Sequence, residues 1–240
     1  MEGFSIVDIY DTKGMEYIFV IAYLLLLIVF WKVAKNPQRV YQQIREVFHT
    51  LSAKILKIPQ GIYFNRNHTW THLEKSGAAK VGLDDFLQHV VGNVKITNLK
   101  NSGESIKKGE LLAAIQQNEK VLKVYSPISG MVLETNSVLS ENPGLINSDP
   151  YDLGWIYQIK PSNWMKETQS YYLAEKATEW SKREFVRFKD FLSLGAMRKF
   201  GSEPSMALLQ DGGEIRENVL SELPDEVWED FQEEFLDFTW

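Results

Sequence analysis

Apolar and polar positions divide the chain into four textures. An uncharged run from Tyr17 to Trp31 comes first, and from Gly61 short β-rich runs alternate with turn residues. Beyond Trp164 apolar residues recur at helical spacing, and near the C-terminus large aromatics repeat between acids. Each texture predicts a different element, because a helix repeats its faces every 3.6 residues and a strand every two.

The first run, YIFVIAYLLLLIVFW, predicts a membrane helix. Tyr17 to Ala34 would span roughly 27 Å, close to the thickness of a hydrocarbon core if Lys32 snorkels. A signal peptide has its bases before the apolar run and a small-residue cleavage site after it. Here the leader, residues 1–16, is acidic (Glu2, Asp8, Asp11 and Glu16 against Lys13), and WKVAKNPQR follows the run. The alternative to an anchor is then a buried helix of a soluble fold. Lys32, Lys35, Arg39, Arg45, Lys54 and Lys57 follow the span, which predicts a single pass with the N-terminus outside and the remainder cytoplasmic. Residues 35–60 start a helix at Pro37 and repeat apolar residues at Val40, Ile44, Val47 or Phe48, Leu51 and Ile55, a basic amphipathic helix beside the membrane. Its bases either bind anionic lipid headgroups or form only a solvated face, and both readings stay open.

Residues 61–164 carry GIYF, HTWTHLE, AAKVGL, NVKITNL, ELLAAIQQ, VLKVYS, GMVLETN and WIYQIKP, separated by KNSGES, SPISG and NSDPYDLG. Short strands punctuated by Gly, Pro, Asn and Asp predict a small barrel or sandwich, with DDFLQHVVG as a helical insert. Composition changes this picture only by exclusion. A net charge of −6 argues against a nucleic-acid partner, because neutralising phosphates takes a basic face and the balance here is acidic. The absence of cysteine removes thiol catalysis, disulfides and cysteine metal sites.

Several blocks carry a resemblance. His68-Thr69-Trp70, VGLDDFLQHVVGNV, KKGELLAAI, YSPISGMVLETN and the closing ENPGLINSDPYDLGWIYQIKPSNW fall in the order found in the glycine cleavage system H protein, so the stretch from Tyr63 to Trp164 resembles that family. The resemblance implies a mainly β fold, a flattened barrel of two sheets related to lipoyl and biotinyl domains. It also implies a hairpin whose tip lysine carries lipoate, ten residues after the Gly of the Lys-Gly-Glu block and six before the Tyr of the Tyr-x-Pro-x-Ser-Gly block. Counting ten on from Gly109 and six back from Tyr125 reaches the same residue, Glu119. Its carboxylate cannot form the amide that a lysine forms with lipoic acid. Lys120 is one residue late, and a slip of one turns a hairpin side chain away from its intended direction. The expectation is therefore no cofactor, with lipoate on Lys120 as the alternative.

Other constellations are weak. His68 and His72 flank Trp70 but lack a third metal ligand, so packing is the expectation. Asn67-His68-Thr69 matches a glycosylation pattern that a cytoplasmic domain would never present to that machinery. Asp84, Asp85 and His89 fit a capped helix start and its exposed face. No Walker loop, Gly-x-Gly-x-x-Gly or Gly-x-Ser-x-Gly occurs, and an enzyme is not expected.

Residues 165–202 predict an amphipathic helix, and residues 203–240 an acidic tail with a helix starting at Pro224. Trp228, Phe231, Phe235 and Phe238 form an aromatic stripe, read as a docking surface for a protein subunit, with packing onto the chain's own β domain as the competing reading. The function expected is a membrane-anchored, non-catalytic accessory or assembly subunit of a membrane complex. The alternative is a lipoylated carrier using Lys120.

Overall fold

The computed structural model describes residues 17–27, 50–51, 56–200, 209–210 and 214–237. The chain divides into two units, residues 1–49 and 50–240. In the first, residues 17–27 form helix α1, whose large apolar side chains are all exposed. Residues 28–34 of the expected span lie outside the described residues, as do 35–49 and 52–55 of the expected amphipathic helix. Among the described residues no helix is long and apolar enough to cross a membrane.

The second unit is a β domain of two main sheets and a small third one, with helices against it. Strands β1 (Thr50–Leu51) to β4 (Ala79–Leu83) include β2 (Tyr63–Phe64) and β3 (Thr69–Leu73). Helix α2 (Asp85–Val91) then precedes β5 (Lys95–Asn98), β6 (Ser105–Ile106), β7 (Leu111–Gln117), β8 (Lys120–Tyr125) and β9 (Gly130–Thr135). After the short helices α3 (Val138–Glu141) and α4 (Leu145–Ser148) comes β10 (Tyr157–Pro161). One sheet has the order β2-β3-β4-β10-β9-β6, the other β5-β7-β8. Their inner faces meet through Val81, Val132 and Ile159 on one side and Leu112, Ile115, Leu122 and Val124 on the other, all in one buried cluster. Tyr157 ties the sheets together. Its ring is fully buried in β10 and its hydroxyl donates to the Leu112 carbonyl of β7 at 3.0 Å. The alternation that predicted short strands thus closes into an H-protein-like β-sandwich.

Helix α2 forms where expected, with the Asp84 carboxylate accepting from the Leu87 N–H at 2.9 Å as its N-cap. Its expected exposed face is corrected. Asp85 and Gln88 are buried, because Asp85 accepts from the Lys57 N–H at 2.8 Å and the chain's own C-terminal residues pack beside the helix.

The C-terminal half differs most from expectation. The helical region splits into α5 (Trp164–Thr168) and α6 (Glu175–Phe200), separated by a turn in which Tyr172 bridges to Phe64. A third, three-stranded sheet of order β1-β12-β11 joins Thr50–Leu51 to β11 (Leu209–Gln210) and β12 (Glu214–Arg216). Thr50 and Leu51 are therefore strand, not the end of the amphipathic helix expected over 35–60. Two residues carry no periodicity, and their pairing depends on partners some 165 positions away. A 3₁₀ turn (Val219–Glu222), helix α7 (Asp225–Phe231) and a π-helical turn (Gln232–Leu236) complete the described chain.

The aromatic stripe is also corrected. Trp228, Phe231 and Phe235 are 3%, 0% and 0% exposed, so they are core of their own domain and not a docking surface. Phe231 and Phe235 meet Phe188 and Phe191 of α6 and Phe86 of α2 and stack on each other at 4.8 Å between ring centroids, while the Trp228 Nε1–H donates to the Leu220 carbonyl at 2.7 Å. The physical reason is that α6 presents a matching aromatic face, and burying such rings intramolecularly costs no association entropy. Phe238 lies outside the described residues.

Candidate functional site

The hairpin that should carry a prosthetic group is formed by β7 and β8, in register from Ile115↔Leu122 to Gln117↔Lys120. Only Asn118 and Glu119 lie in the turn. Asn118 takes φ 54°, a left-handed conformation that asparagine adopts more readily than most residues. Gln117 reaches back to α2, its amide donating to the Val91 carbonyl at 2.6 Å, and this fixes the base of the tip. Glu119 is exposed at the turn.

Lys120 points elsewhere. Because strand side chains alternate, Lys120 shares the side of Leu122 and Val124, which are buried against the core. Its ammonium donates to the Leu223 carbonyl, lies 3.8 Å from Asp225 Oδ1 and sits 5.5 Å from the centroid of the Trp228 ring. A carbonyl, a carboxylate and an indole face take up the positive charge from three sides. The side chain is left 21% exposed. The next stretch of the same segment covers the strand edge. Gln232 accepts from the Lys123 N–H at 2.7 Å and places its amide 3.4 Å from the Lys123 carbonyl.

Three further contacts fix the C-terminal segment, and none was expected from the sequence. His89 lies 3.4 Å from Asp85 and 3.2 Å from Glu217, while its carbonyl accepts from the Asn218 N–H at 2.7 Å. Burial of the ring opposes protonation, but hydrogen bonding to Asp85 and the two carboxylate charges outweigh it and raise the His89 pKa above its ordinary value. Asn67 donates to the Leu236 carbonyl, so the asparagine of the glycosylation pattern is buried and occupied. Arg187 of α6 lies 4.0 Å from the Phe235 ring centroid and donates to the Glu234 carbonyl at 3.0 Å.

The His68-Thr69-Trp70 block underlies this end of the segment. His68 is fully buried at φ 54°, with Nδ1 2.8 Å from Asp84 Oδ2, and its ring stacks on Phe86 at 4.6 Å. His72 instead faces the Gly61 carbonyl at 3.0 Å. The two imidazoles therefore serve separate contacts. Among the described residues no group of three potential ligands could hold a metal ion. From the closing motif, Tyr151 accepts from the Asp85 N–H at 3.0 Å, and burial, reinforced by the Asp84 charge, pushes its hydroxyl pKa well up.

The hairpin, the buried His68 and Trp70 and the closing Asp149-Pro150-Tyr151 turn thus sit on one β-sandwich. The family profile for the glycine cleavage H-protein matches residues 62–184. The chain belongs to the glycine cleavage H-protein family. The match runs past Trp164, where the motifs ended, and takes in Tyr172 and Trp180, whose rings stack at 5.1 Å beside Phe64. A probable glycine cleavage system H protein of Pyrococcus abyssi is 37% identical over 52% of this chain and 93% of its own. The glycine cleavage system H protein of Anaeromyxobacter sp. strain K is 38% identical over 45% and 84%. A crystal structure of a glycine cleavage system H protein from Mycobacterium marinum covers 53% of this chain and 99% of its own, at 23% identity and a TM-score of 0.44. In this H-family chain Glu119 occupies the tip and the neighbouring lysine is held by the C-terminal segment.

Proposed function

We propose that this chain is a non-catalytic, non-lipoylated H-like module, anchored in a membrane through Tyr17 to Ala34, that serves as an accessory or assembly subunit of a membrane complex. One observation carries the loss of the carrier role. The exposed tip residue is a glutamate, and the only lysine beside it gives its ammonium to Leu223, Asp225 and Trp228 of the same chain. A carrier arm has to leave its own domain and reach another active site, and an amine held on three sides is not free to start one. Anchoring is supported by the uncharged run, by the acidic leader and basic followers, and by an α1 helix whose apolar side chains are all exposed. An assembly role fits a tethered domain, because tethering confines it to partners already held near the membrane.

Intact mass of the protein purified from the membranes of its own cells tests the reading. The expected mass is that of the unmodified chain. A lipoyl or biotinyl adduct on Lys120 would overturn it, as would recovery of the full-length chain solely in the soluble fraction.

A further inference from the structure

The segment that covers Lys120 starts in the small sheet that also holds the point where the chain enters its β domain. Thr50 pairs with Arg216 and Leu51 with Ile215, and Leu51 and Ile215 are both fully buried in the main core cluster. From β12 the chain runs directly into Glu217 and Asn218 against His89, then Leu223, Asp225 and Trp228 around Lys120, and then Gln232 on β8. We infer that residues 214–237 are a latch over the hairpin and that the pairing of β1 with β12 is its clasp, through which the chain preceding Thr50 controls the exposure of Lys120 and the β8 edge.

The geometry supports both halves. β8 lies at the edge of its sheet, and its Lys123 N–H is bonded by the Gln232 side chain, not by another strand. Withdrawal of that side chain leaves strand-pairing groups open on β8. Among the described residues the clasp is a ladder of two residue pairs, and a short ladder leans on its flanks, so a pull or a new contact just before Thr50 acts directly on it. Phe235, three residues beyond Gln232 and held by Phe86, Phe188 and Phe191, lies at the far end of the segment and remains as its pivot. The inference rests on the proposed function only in taking the chain before Thr50 as the tethered side. The reactivity of one lysine amine tests it without reference to lipoate or to a membrane.

The test is acetylation of the full-length chain in detergent by N-hydroxysuccinimidyl acetate, comparing Lys120 with the exposed Lys123 by peptide mass. In the wild type Lys120 should react about tenfold more slowly or less, as expected for a group freed only by local opening. Because the chain has no cysteine, Thr50→Cys with Arg216→Cys places a single pair at facing positions of the clasp. Closing that disulfide should slow Lys120 further, and reduction should restore the wild-type ratio. Thr50→Pro, which disfavours the ladder, should bring Lys120 toward the rate of Lys123 while hydrogen exchange of Thr69 to Leu83 stays unchanged. Equal rates in the wild type would overturn the latch. A Lys120 rate indifferent to oxidation of the cysteine pair would overturn the clasp, whether or not Thr50→Pro folds.

Discussion

Gly82 of β4 lies so close to the Trp70 indole of β3 that a Cβ built on the glycine would sit 2.6 Å from two of its ring carbons. The two residues face each other in the strand register, and Trp70 is fully buried. Neither can give way. The ring is hemmed by Tyr151 at 5.9 Å, and the glycine is central in a paired strand. Gly82→Ala should destabilise the domain by about 1–3 kcal/mol, the usual cost of overpacking a core. Chemical denaturation of the full-length chain checks this, and wild-type stability would show that the indole can move.

The aromatic segment makes a second, larger prediction. Phe235 is fully buried among Phe86, Phe188, Phe191 and Phe231, with Arg187 over its face. Phe235→Ala should cost about 3–5 kcal/mol, as large-to-small changes of buried aromatics do. A docking residue would instead leave unfolding unchanged and weaken only association. Thermal unfolding beside co-purification of partners separates the two.

His89 gives a pH dependence with a definite sign. Its folded pKa is raised by Asp85 and Glu217 against the opposing effect of burial, so the imidazolium stabilises the fold. That stabilisation is fully present below the unfolded histidine pKa of about 6.5 and is lost as pH rises through the higher folded value. Hydrogen exchange around Glu217 and Asn218 should therefore quicken on raising the pH from about 5.5 to about 8.5, beyond the intrinsic change of exchange rate. His89→Gln should remove the excess, and an excess that survives it belongs to another group.

How much of this was legible depended on whether a signal was local. The strands from Tyr63 to Tyr157 announced themselves by alternation and turn residues, and the Asp84 cap by its place before a helical run, because both patterns sit within a few positions. The count to Glu119 was local too. The direction of Lys120 was half legible: a one-residue slip predicted that it leaves the tip, but not that Leu223, some hundred positions on, would receive it. Thr50 and Leu51 were hidden inside a convincing helical period, since two-residue strands have no period of their own. The stripe at Trp228, Phe231 and Phe235 was correctly seen as one face, yet a sequence cannot say whether a face is covered by its own chain or another. Here α6 supplied the cover.

Orientation across a membrane is open to direct chemical test. The bases that follow residues 17–31 predict that everything from Lys35 onward faces the cytoplasm. Ser102 is exposed in the turn before β6, so Ser102→Cys introduces a single reachable thiol into a chain that has none. An impermeant maleimide should leave it unlabelled in intact cells and label it after lysis. Labelling of intact cells would reverse the topology.

The hairpin itself can be asked whether only its tip has diverged. Glu119 is exposed in the turn and Lys120 is turned inward, so Glu119→Lys alone puts an amine where the resemblance to the H family expects the lipoylated one and leaves the contacts of Lys120 intact. Expressed in cells that lipoylate H proteins, this variant should gain one lipoyl group at position 119 and none at 120. Adding Lys120→Glu sets a carboxylate against the Leu223 carbonyl and Asp225, where like charges repel, and should raise the lipoylated fraction by loosening the cover over the turn. The chain length of the hairpin is unchanged in both variants, so register cannot be the cause of a failure. If a folded Glu119→Lys protein stays unmodified while the double variant is lipoylated, the C-terminal segment and not the tip residue blocks the modifying enzyme. If both stay unmodified, the Gln116-Gln117-Asn118 approach has itself lost what that enzyme needs, and restoring the tip lysine does not restore a carrier.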